Sequence, residues 1–232
     1  MGLGRAIARR LPGLLVVVFT LTVTVPVLVI AAYRVLPVPA TPLMVIRFVE
    51  AGDWPARDWV ALEDVPRTVL GALVASEDNN FCTHHGVDWA AVRDAYTEWQ
   101  AGQGLRGAST LSMQVARNLL LWPGGGAVRK AGEVYLTVMV EALLPKRRIM
   151  EVYLNTAEWG PGVFGIAAAA RHHYGVAVEN LTADQAVGLV ATLGAPQVWT
   201  PQAPSPRLAG RMRAIAQRLP DGLARLGCIG QV

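Results

Sequence analysis

The stretch EDNNFCTHHG, residues 77–86, organises the rest of the chain. It begins with two adjacent carboxylates, Glu77 and Asp78, which close an apolar segment that runs from residue 66 to residue 75. The negative end of the helix macrodipole lies at a helix C-terminus, so an acid is mildly disfavoured there. Such a local conflict is more expected at a functional site than in a scaffold. The two acids are explained either by a functional site or by a helix end that they merely make soluble.

Composition and charge narrow the class of protein. A chain of 232 residues accommodates a membrane anchor and one domain large enough for its own core. Much of the positive charge behind the net +4 lies at the N-terminus and in short basic clusters, which favours phosphate groups and anionic lipids over nucleic acid as partners. The two cysteines, Cys82 and Cys228, cannot form a disulfide framework. They can pair once outside the cytoplasm, and the sequence leaves that pairing open.

The N-terminus decides the expected compartment. Arg5, Arg9 and Arg10 precede an uncharged segment, residues 11–33, that is dominated by Leu, Val and Ile. At helical rise this segment is long enough to cross a hydrocarbon core of about 30 Å. The basic flank predicts a cytoplasmic tail over residues 1–10 and an extracytoplasmic remainder. A cleaved signal peptide is the alternative, but its apolar core is normally roughly 7–15 residues long, so we interpret the segment as an uncleaved anchor.

The rest of the chain is interpreted as a linker followed by one helical domain. A proline-rich, membrane-proximal segment covers residues 34–63, and the domain covers residues 64–232. Pro26 is expected to kink the anchor, and glycines interrupt the helical pattern at 101–107. The apolar periodicity and the helix-cap signals predict helices at 65–78, 88–100, 110–121, 127–144, 146–155, 163–174, 182–193 and 205–219. With few convincing strands, the predicted fold class is mostly α.

The second motif is GASTLSMQVARN, residues 107–118. Glycine followed by Ser and Thr at a helix start predicts free backbone N–H groups and hydroxyls, an arrangement suited to an anion. Gln114, Arg117 and Asn118 lie at i, i+3 and i+4, so they share one face of the helix. A capped amphipathic helix with a solvated polar face is the alternative interpretation.

Two further motifs carry basic residues. In RKAGE, Arg129 and Glu133 are spaced for an ordinary helical ion pair, and a phosphate clamp that includes Lys130 is the functional alternative. The motif KRRIMEVYLN contains a narrow polar stripe that we interpret as structural, formed by Arg148, Glu151 and Asn155. The adjacent histidines at 84–85 and at 172–173 lack the spacing and the acidic partners of a zinc site.

In this order, the motifs resemble those of the peptidoglycan glycosyltransferases of the lysozyme-like superfamily, in particular the monofunctional biosynthetic members without a transpeptidase domain. Residues 77–86 are similar to the family pattern Glu-Asp-x-x-Phe-x-x-His-x-Gly. The segments that begin at Gly107, Arg129 and Lys146 are similar to the next three motifs, and residues 171–175 to the fifth. The resemblance covers about residues 64–201 and implies a lysozyme-like glycosyltransferase domain behind a single transmembrane helix.

The chain departs from the family pattern at three places. Met113 stands where relatives have the first of two glutamines, so one amide of their sugar-binding cleft is missing. Arg117 replaces a lysine and keeps its charge. Three glycines, residues 124–126, stand where many relatives have an arginine, which implies a weaker phosphate clamp or one completed by other residues.

The resemblance implies polymerisation of lipid II, a disaccharide-pentapeptide on undecaprenyl pyrophosphate, into β-1,4-linked glycan strands. An α-linked donor gives a β bond by one inverting displacement, which needs a base at the acceptor hydroxyl and cations at the leaving pyrophosphate. Glu77 is the expected base, and Glu133 is the second expected catalytic carboxylate. The expected substrate-binding residues are Asp78, Phe81, Ser109, Gln114, Arg117, Asn118, Arg129 and Lys130.

No cofactor or metal site is built into the sequence; recruitment of a Mg or Mn ion to the pyrophosphate is the alternative role of Glu133. The expected location is the bacterial inner membrane, where lipid II, the growing glycan strand, the bilayer and other cell-wall synthesis proteins are the expected partners. The apolar segment LLLW, residues 119–122, is expected to enter the membrane interface beside the cleft.

Two alternative functions remain at this stage. One is a glycan-cleaving enzyme on the same scaffold, a lytic transglycosylase or muramidase, which also uses a helix-end glutamate. The phosphate-directed residues Arg117, Arg129 and Lys130 argue against it, because cleavage of neutral glycan has no need of them. The other is an inactive membrane-anchored scaffold for cell-wall proteins, against which Glu77 and Glu133 argue.

Overall fold

A computed structural model describes residues 2–102 and 107–230 of the chain, and within these ranges the backbone is mostly helical. The helices are α1 Gly2–Phe19, α2 Val25–Ala32, α3 Pro42–Ala51, α4 Arg67–Glu77, α5 Trp89–Gln100, α6 Leu111–Leu120, α7 Gly126–Leu143, α8 Lys146–Thr156, α9 Ile166–Tyr174, α10 Ala183–Thr192 and α11 Pro206–Ala224. The short strands are β1 Ala56–Arg57, β2 Glu158–Gly160 and β3 Val163–Phe164. The predicted mostly-α fold class is confirmed.

Several helices begin where the cap residues predicted. The side-chain oxygen of Asp88 accepts the N–H of Ala91 at the start of α5, and Thr110 caps α6 in the same way. Thr182 and Gln185 form a complete capping box at the start of α10. Part of the predicted break at 101–107, residues 103–106, lies outside the described residues.

One predicted helix is wrong at its N-terminal end. The helix expected over 163–174 begins only at Ile166, because Val163–Phe164 form β3 in the centre of a small sheet with the order β1-β3-β2. β3 pairs in parallel with β1, Ala56 opposite Val163, and antiparallel with β2. A short apolar run cannot be distinguished from the start of a buried helix by periodicity alone.

The membrane-proximal segment packs onto the domain in its second half. Arg47 of α3 donates to both carboxylate oxygens of Glu158, at 2.9 and 3.2 Å. Asn155 accepts the N–H of Val60 at 2.8 Å and donates to the Val60 carbonyl at 2.9 Å. Glu151 pairs with Arg148, so the ion pair that was predicted within the polar stripe on α8 is present.

The helix that carries the first motif lies at the centre of the core. Residues 69–75 of α4 are all buried, and α4 packs against α10 and α11. Fully buried residues such as Leu70 and Leu73 each contribute about 1.5–3 kcal/mol relative to exposure. α4 and α11 cross so closely that a Cβ at Gly222 would lie 2.1 Å from the carbonyl oxygen of Gly71. This crossing brings the C-terminal helix alongside Glu77.

The structure also answers the question about the cysteines. Cys82, in the loop after α4, forms a disulfide with Cys228, in the tail after α11, with a Cα–Cα distance of 5.3 Å. The bond therefore ties the tail that follows α11 to the loop of the first motif.

The N-terminal helix pair is continuous through a π-helical turn, Thr20–Thr24. Pro12–Ala32 is the one segment of the described chain that is long and apolar enough to cross a membrane, with a mean hydropathy of 2.8. Its buried positions, Pro26 and Ile30, lie one helical turn apart. These features are compatible with an anchor or a signal sequence. The predicted basic flank depends on Arg5 and Arg9, whose side chains lie outside the described residues.

Candidate active site

The carboxylate of Glu77 is held from two sides at the end of α4. Its Oε1 accepts hydrogen bonds from Arg211 of α11 at 2.6 Å and from the hydroxyl of Ser76 at 3.0 Å. Its Oε2 accepts a longer bond from Nε2 of Gln114 of α6, at 3.2 Å. The side chain remains 16% exposed, so the carboxylate is oriented by three helices and is still reachable from the cleft.

The orientation of Gln114 is set by a buried tyrosine. The hydroxyl of Tyr153 on α8 donates to Oε1 of Gln114 at 3.1 Å, which turns the amide nitrogen towards Glu77. Burial raises the pKa of the Tyr153 phenol well above its ordinary value, and the charge of Glu77 adds to the effect. The phenol therefore remains a proton donor at physiological pH. Sequence reasoning missed Tyr153, although a tyrosine among buried apolar residues usually needs a hydrogen-bond partner.

The second carboxylate of the first motif has a different environment. Both oxygens of Asp78 lie within 3.0 Å of Nε2 of His84, and Oδ2 also accepts the N–H of Leu111 at 2.9 Å. Nδ1 of His84 accepts the N–H of Gly86, so the ring proton is on Nε2 and points at Asp78. Two of the N–H groups that were expected to be free for an anion at the start of α6 are therefore occupied, because Asp78 accepts the N–H of Leu111 and the Thr110 hydroxyl accepts that of Met113.

Two other residues of the first motif, Phe81 and Gly86, pack the loop after α4 against the rest of the domain. Phe81 is fully buried, and Nζ of Lys146 lies 4.6 Å from its ring centroid. Gly86 has φ of +96°, and a Cβ there would lie 2.7 Å from Cγ2 of Thr137. Phe81 lines neither of the two cavities described below.

A cluster of opposite charges, here called the clamp, lies at the start of α7 and consists of Arg129, Lys130, Glu133 and Ser109. Glu133 is completely buried; its Oε1 accepts from Lys130 at 2.7 Å and its Oε2 from Arg129 at 2.5 Å. Lys130 also donates to the hydroxyl of Ser109 at 2.7 Å, and Arg129 donates to the carbonyl of Gly124. The predicted ion pair is thus present, with Lys130 as a second cation.

Two cavities of about 610 and 320 Å³ meet at Gln114, which lines both. The larger cavity is lined by Glu77, Ser109, Gln114 and Arg211 among others. The smaller one is lined by Gln114, Arg117, Asn118 and Arg129 among others. Within the described part of the chain, the side chains of Arg117 and Asn118 form no hydrogen bond or ion pair, so the Arg117 guanidinium is available to a ligand. The structure therefore brings Glu77 and the guanidinium groups of Arg117 and Arg129 to neighbouring parts of one cleft.

Met113 and part of the segment 119–122 are buried beside the cleft. Met113 is only 2% exposed, so its thioether packs in the interior and lines neither cavity. The expectation that residues 119–122 enter the membrane interface is wrong for Leu119, which is 5% exposed in the core. Leu120 and Leu121 pack against the core, and Trp122 is the residue of this segment that stands out, at 55% exposure.

A divalent ion is one expectation for this cleft, and a metal site requires a cluster of ligand side chains there. Among residues 2–102 and 107–230, no three His, Cys, Asp or Glu side chains cluster in a way that would hold an ion. Both oxygens of Glu133 already accept from cations, so its buried carboxylate does not fit the role of a metal ligand. A divalent ion at the pyrophosphate remains a prediction.

A helical domain with a carboxylate and a cation cluster in one cleft suits an enzyme that transfers a sugar from a phosphate leaving group. The chain belongs to the transglycosylase family, whose model, described as Transglycosylase, matches residues 45–220. It is 45% identical to the biosynthetic peptidoglycan transglycosylase of Rhodospirillum centenum, over 95% of this chain and 94% of that protein. The proteins of the same name from Caulobacter vibrioides (40% identity, 96% and 98% covered) and Pseudomonas aeruginosa (43%, 83% and 85% covered) are also similar. The chain is therefore a glycosyltransferase of peptidoglycan synthesis.

Proposed function

We propose that the protein polymerises lipid II into β-1,4-linked glycan strands and releases undecaprenyl pyrophosphate by a single inverting displacement. The observation that carries the proposal is the placement of Glu77, fixed between Arg211 and Gln114 in the wall of the cleft. Arg117 and Arg129 line the cavity on the other side of Gln114. A base and a set of phosphate-binding cations thus flank one position where two sugars can meet.

Glu77 is the base in this mechanism. Its Oε2 accepts one long hydrogen bond, from Gln114, and so retains a lone pair for the proton of the acceptor 4-hydroxyl. As the proton moves to Glu77, the acceptor oxygen forms a bond to the anomeric carbon on the face opposite the pyrophosphate. The bond between that carbon and the phosphate oxygen breaks, and its electron pair leaves with the pyrophosphate. Orientation by Arg211 and Ser76 keeps the carboxylate in the reactive geometry.

The cations stabilise the leaving group. Arg117 has no competing internal partner, so its planar guanidinium can bind phosphate oxygens in a bidentate manner. The buried carboxylate of Glu133 fixes Arg129 and Lys130 in place before the substrate arrives. Preorganised charge of this kind is typically worth about 10²–10³ in rate for each group. Glu133 therefore acts by positioning the cations.

The proposed location is the inner membrane, with the N-terminus in the cytoplasm and the domain outside. The apolar segment Pro12–Ala32 supports an anchor, and the Cys82–Cys228 disulfide supports an oxidising compartment. Because the lipid of the substrate stays in the bilayer, an anchored cleft meets it at the membrane surface. The proposed partners are lipid II, the growing glycan strand, the bilayer and other cell-wall synthesis proteins.

Incubation of purified full-length protein with labelled lipid II in lipid nanodiscs tests the proposal. Long glycan polymers, resolved by electrophoresis, are the expected product. Shortening of preformed glycan strands without new polymer would instead indicate the glycan-cleaving alternative. If the folded protein neither polymerises lipid II nor cleaves glycan strands, the inactive membrane-anchored scaffold is indicated.

A further inference from the structure

The apolar N-terminal helix contains a backbone carbonyl whose α-helical donor is missing. Pro26 has no N–H, so it cannot donate to the carbonyl of Thr22, its i−4 partner in an α-helix. The π-helical turn Thr20–Thr24 marks the same place. In hydrocarbon no water can replace the missing donor, and an unpaired carbonyl there is costly.

A side chain of the catalytic domain supplies this donor. The hydroxyl of Tyr135 on α7 donates to the carbonyl oxygen of Thr22 at 3.0 Å, although the two residues are 113 positions apart. Pro26 and Ile30 of α2 are buried, and α2 packs against α7. Tyr135 is 44% exposed as a residue, so core packing alone does not hold its side chain in this position.

A second set of bonds joins the C-terminal end of α2 to the domain. Arg148 donates to the carbonyls of Tyr33 and Leu36, at 2.8 and 2.5 Å, and Arg34 donates to the carbonyl of Leu143 at 3.0 Å. The carbonyl of Leu143 is one of the last four of α7, which a helix end leaves without partners, and those of Tyr33 and Leu36 lie just beyond the last residue of α2. The helix is thus attached at its end and again about three turns earlier, at Thr22.

We propose that the membrane anchor is docked on α7 and that Tyr135 sets the register by replacing the backbone donor that Pro26 lacks. The N-terminal half of α7 carries three members of the clamp, and of these Lys130 and Glu133 lie five and two residues before Tyr135. Docking at two points therefore fixes the clamp relative to the bilayer that the anchor crosses. The positioning role of Tyr135 rests on the proposed function, whereas the bond itself does not.

A double-mutant cycle between positions 26 and 135 tests the bond, with full-length protein in lipid nanodiscs. Tyr135→Phe removes the hydroxyl alone and is expected to lower the Tm by about 2–4 °C. Pro26→Ala restores a backbone N–H for Thr22, so in that background the same change should lower the Tm by no more than about 1 °C. Tyr96→Phe, which removes a surface hydroxyl that accepts from Gln100, is the matched control. If Tyr135→Phe lowers the Tm equally in the wild-type and Pro26→Ala backgrounds, or in neither, Tyr135 does not replace the donor that Pro26 lacks.

Polymerisation of full-length lipid II in the same nanodiscs tests the positioning role. Tyr135→Phe is expected to lower the rate about threefold, and the loss should largely disappear in the Pro26→Ala background. If Tyr135→Phe lowers the Tm less in the Pro26→Ala background but leaves the polymerisation rate unchanged, the positioning role is contradicted. If the wild-type protein makes no polymer, the proposed function fails, while the Tm cycle still decides whether the anchor is docked through Tyr135.

Discussion

Arg211 donates a hydrogen bond to the carboxylate of Glu77 at 2.6 Å, across 134 residues of chain. The same nitrogen donates to the hydroxyl of Ser76 at 2.8 Å. α11 therefore determines the orientation of a carboxylate that belongs to α4. Without Arg211, Oε1 of Glu77 would keep only its bond from Ser76, and the carboxylate could turn.

Replacement of Arg211 should reduce the rate more than the binding of substrate. We expect Arg211→Ala to lower kcat about 10–100-fold with little change in KM, because misorientation of a base affects the chemical step. Arg211→Lys should recover part of the loss through a single bond to Glu77. Steady-state kinetics with lipid II measure both constants.

The control for this experiment lies on the same helix. Arg213 is exposed and forms no hydrogen bond or ion pair within residues 2–102 and 107–230, so Arg213→Ala should leave kcat unchanged. Wild-type kcat in the Arg211→Ala variant would show that α11 does not position Glu77.

Glu77→Gln should fold normally and make no glycan polymer. The amide keeps the shape of the side chain but cannot take up the proton of the acceptor hydroxyl. Gel analysis of the product from labelled lipid II is the measurement, and Glu179→Gln, an exposed glutamate in the turn Val178–Asn180, is the control. Polymer at the wild-type rate from Glu77→Gln would remove Glu77 as the base.

Arg117 should contribute to catalysis and not to stability, because it has no internal partner in the described part of the chain. We expect Arg117→Ala to lower the polymerisation rate about 10²-fold with an unchanged Tm. Arg117→Lys should retain much of the rate, since a lysine keeps a phosphate-binding charge. An equal loss in both variants would mean that the fork geometry, and not the charge, is what the pyrophosphate requires.

The Cys82–Cys228 disulfide should stabilise the domain and keep α11 in place. It closes a loop of 146 residues, and a native bond of this kind typically contributes about 2–4 kcal/mol. Reduction, or replacement of both cysteines by alanine, is expected to lower the Tm by about 5–15 °C. Differential scanning fluorimetry with and without reductant measures the shift, and reductant should leave the Tm of the double alanine variant unaltered.

Trp122 should matter for a substrate in a bilayer more than for one in solution. It stands out from the end of α6 beside the smaller cavity, and exposed tryptophans favour the membrane interface. We expect Trp122→Ser to weaken vesicle binding and the use of lipid II in vesicles several-fold, with detergent-solubilised lipid II less affected. Trp99→Ser, at the same 55% exposure on α5, is the control. A similar loss from both changes would speak for a general surface effect.

The sequence predicted those parts of the fold and site that depend on local chemistry. Helix starts were predictable from three N-cap residues, Asp88, Thr110 and Thr182. At the N-cap position a side-chain oxygen can accept an N–H of the first helical turn. Arg129 and Glu133 were paired because residues four apart on a helix are neighbours.

Contacts between distant segments could not be predicted in this way. Arg211 and Tyr153 orient the Glu77 site from α11 and α8, and no local pattern connects either of them with residue 77. The strand β3 was not predicted either, because it depends on pairing with β1, which lies about 100 residues earlier in the chain. The occupied N-terminus of α6 also depends on a distant partner, Asp78.

The disulfide and the Gly71–Gly222 crossing set the limits of any excised, water-soluble fragment of this enzyme. A fragment cut at residue 220, where the family match ends, would retain Arg211 but lose both Gly222 and Cys228. A fragment begun at residue 64 would lose β1 and the bonds that Val60 makes with Asn155. Crystallisation or inhibitor screening without the membrane segment should therefore start before Pro42 and run through Cys228.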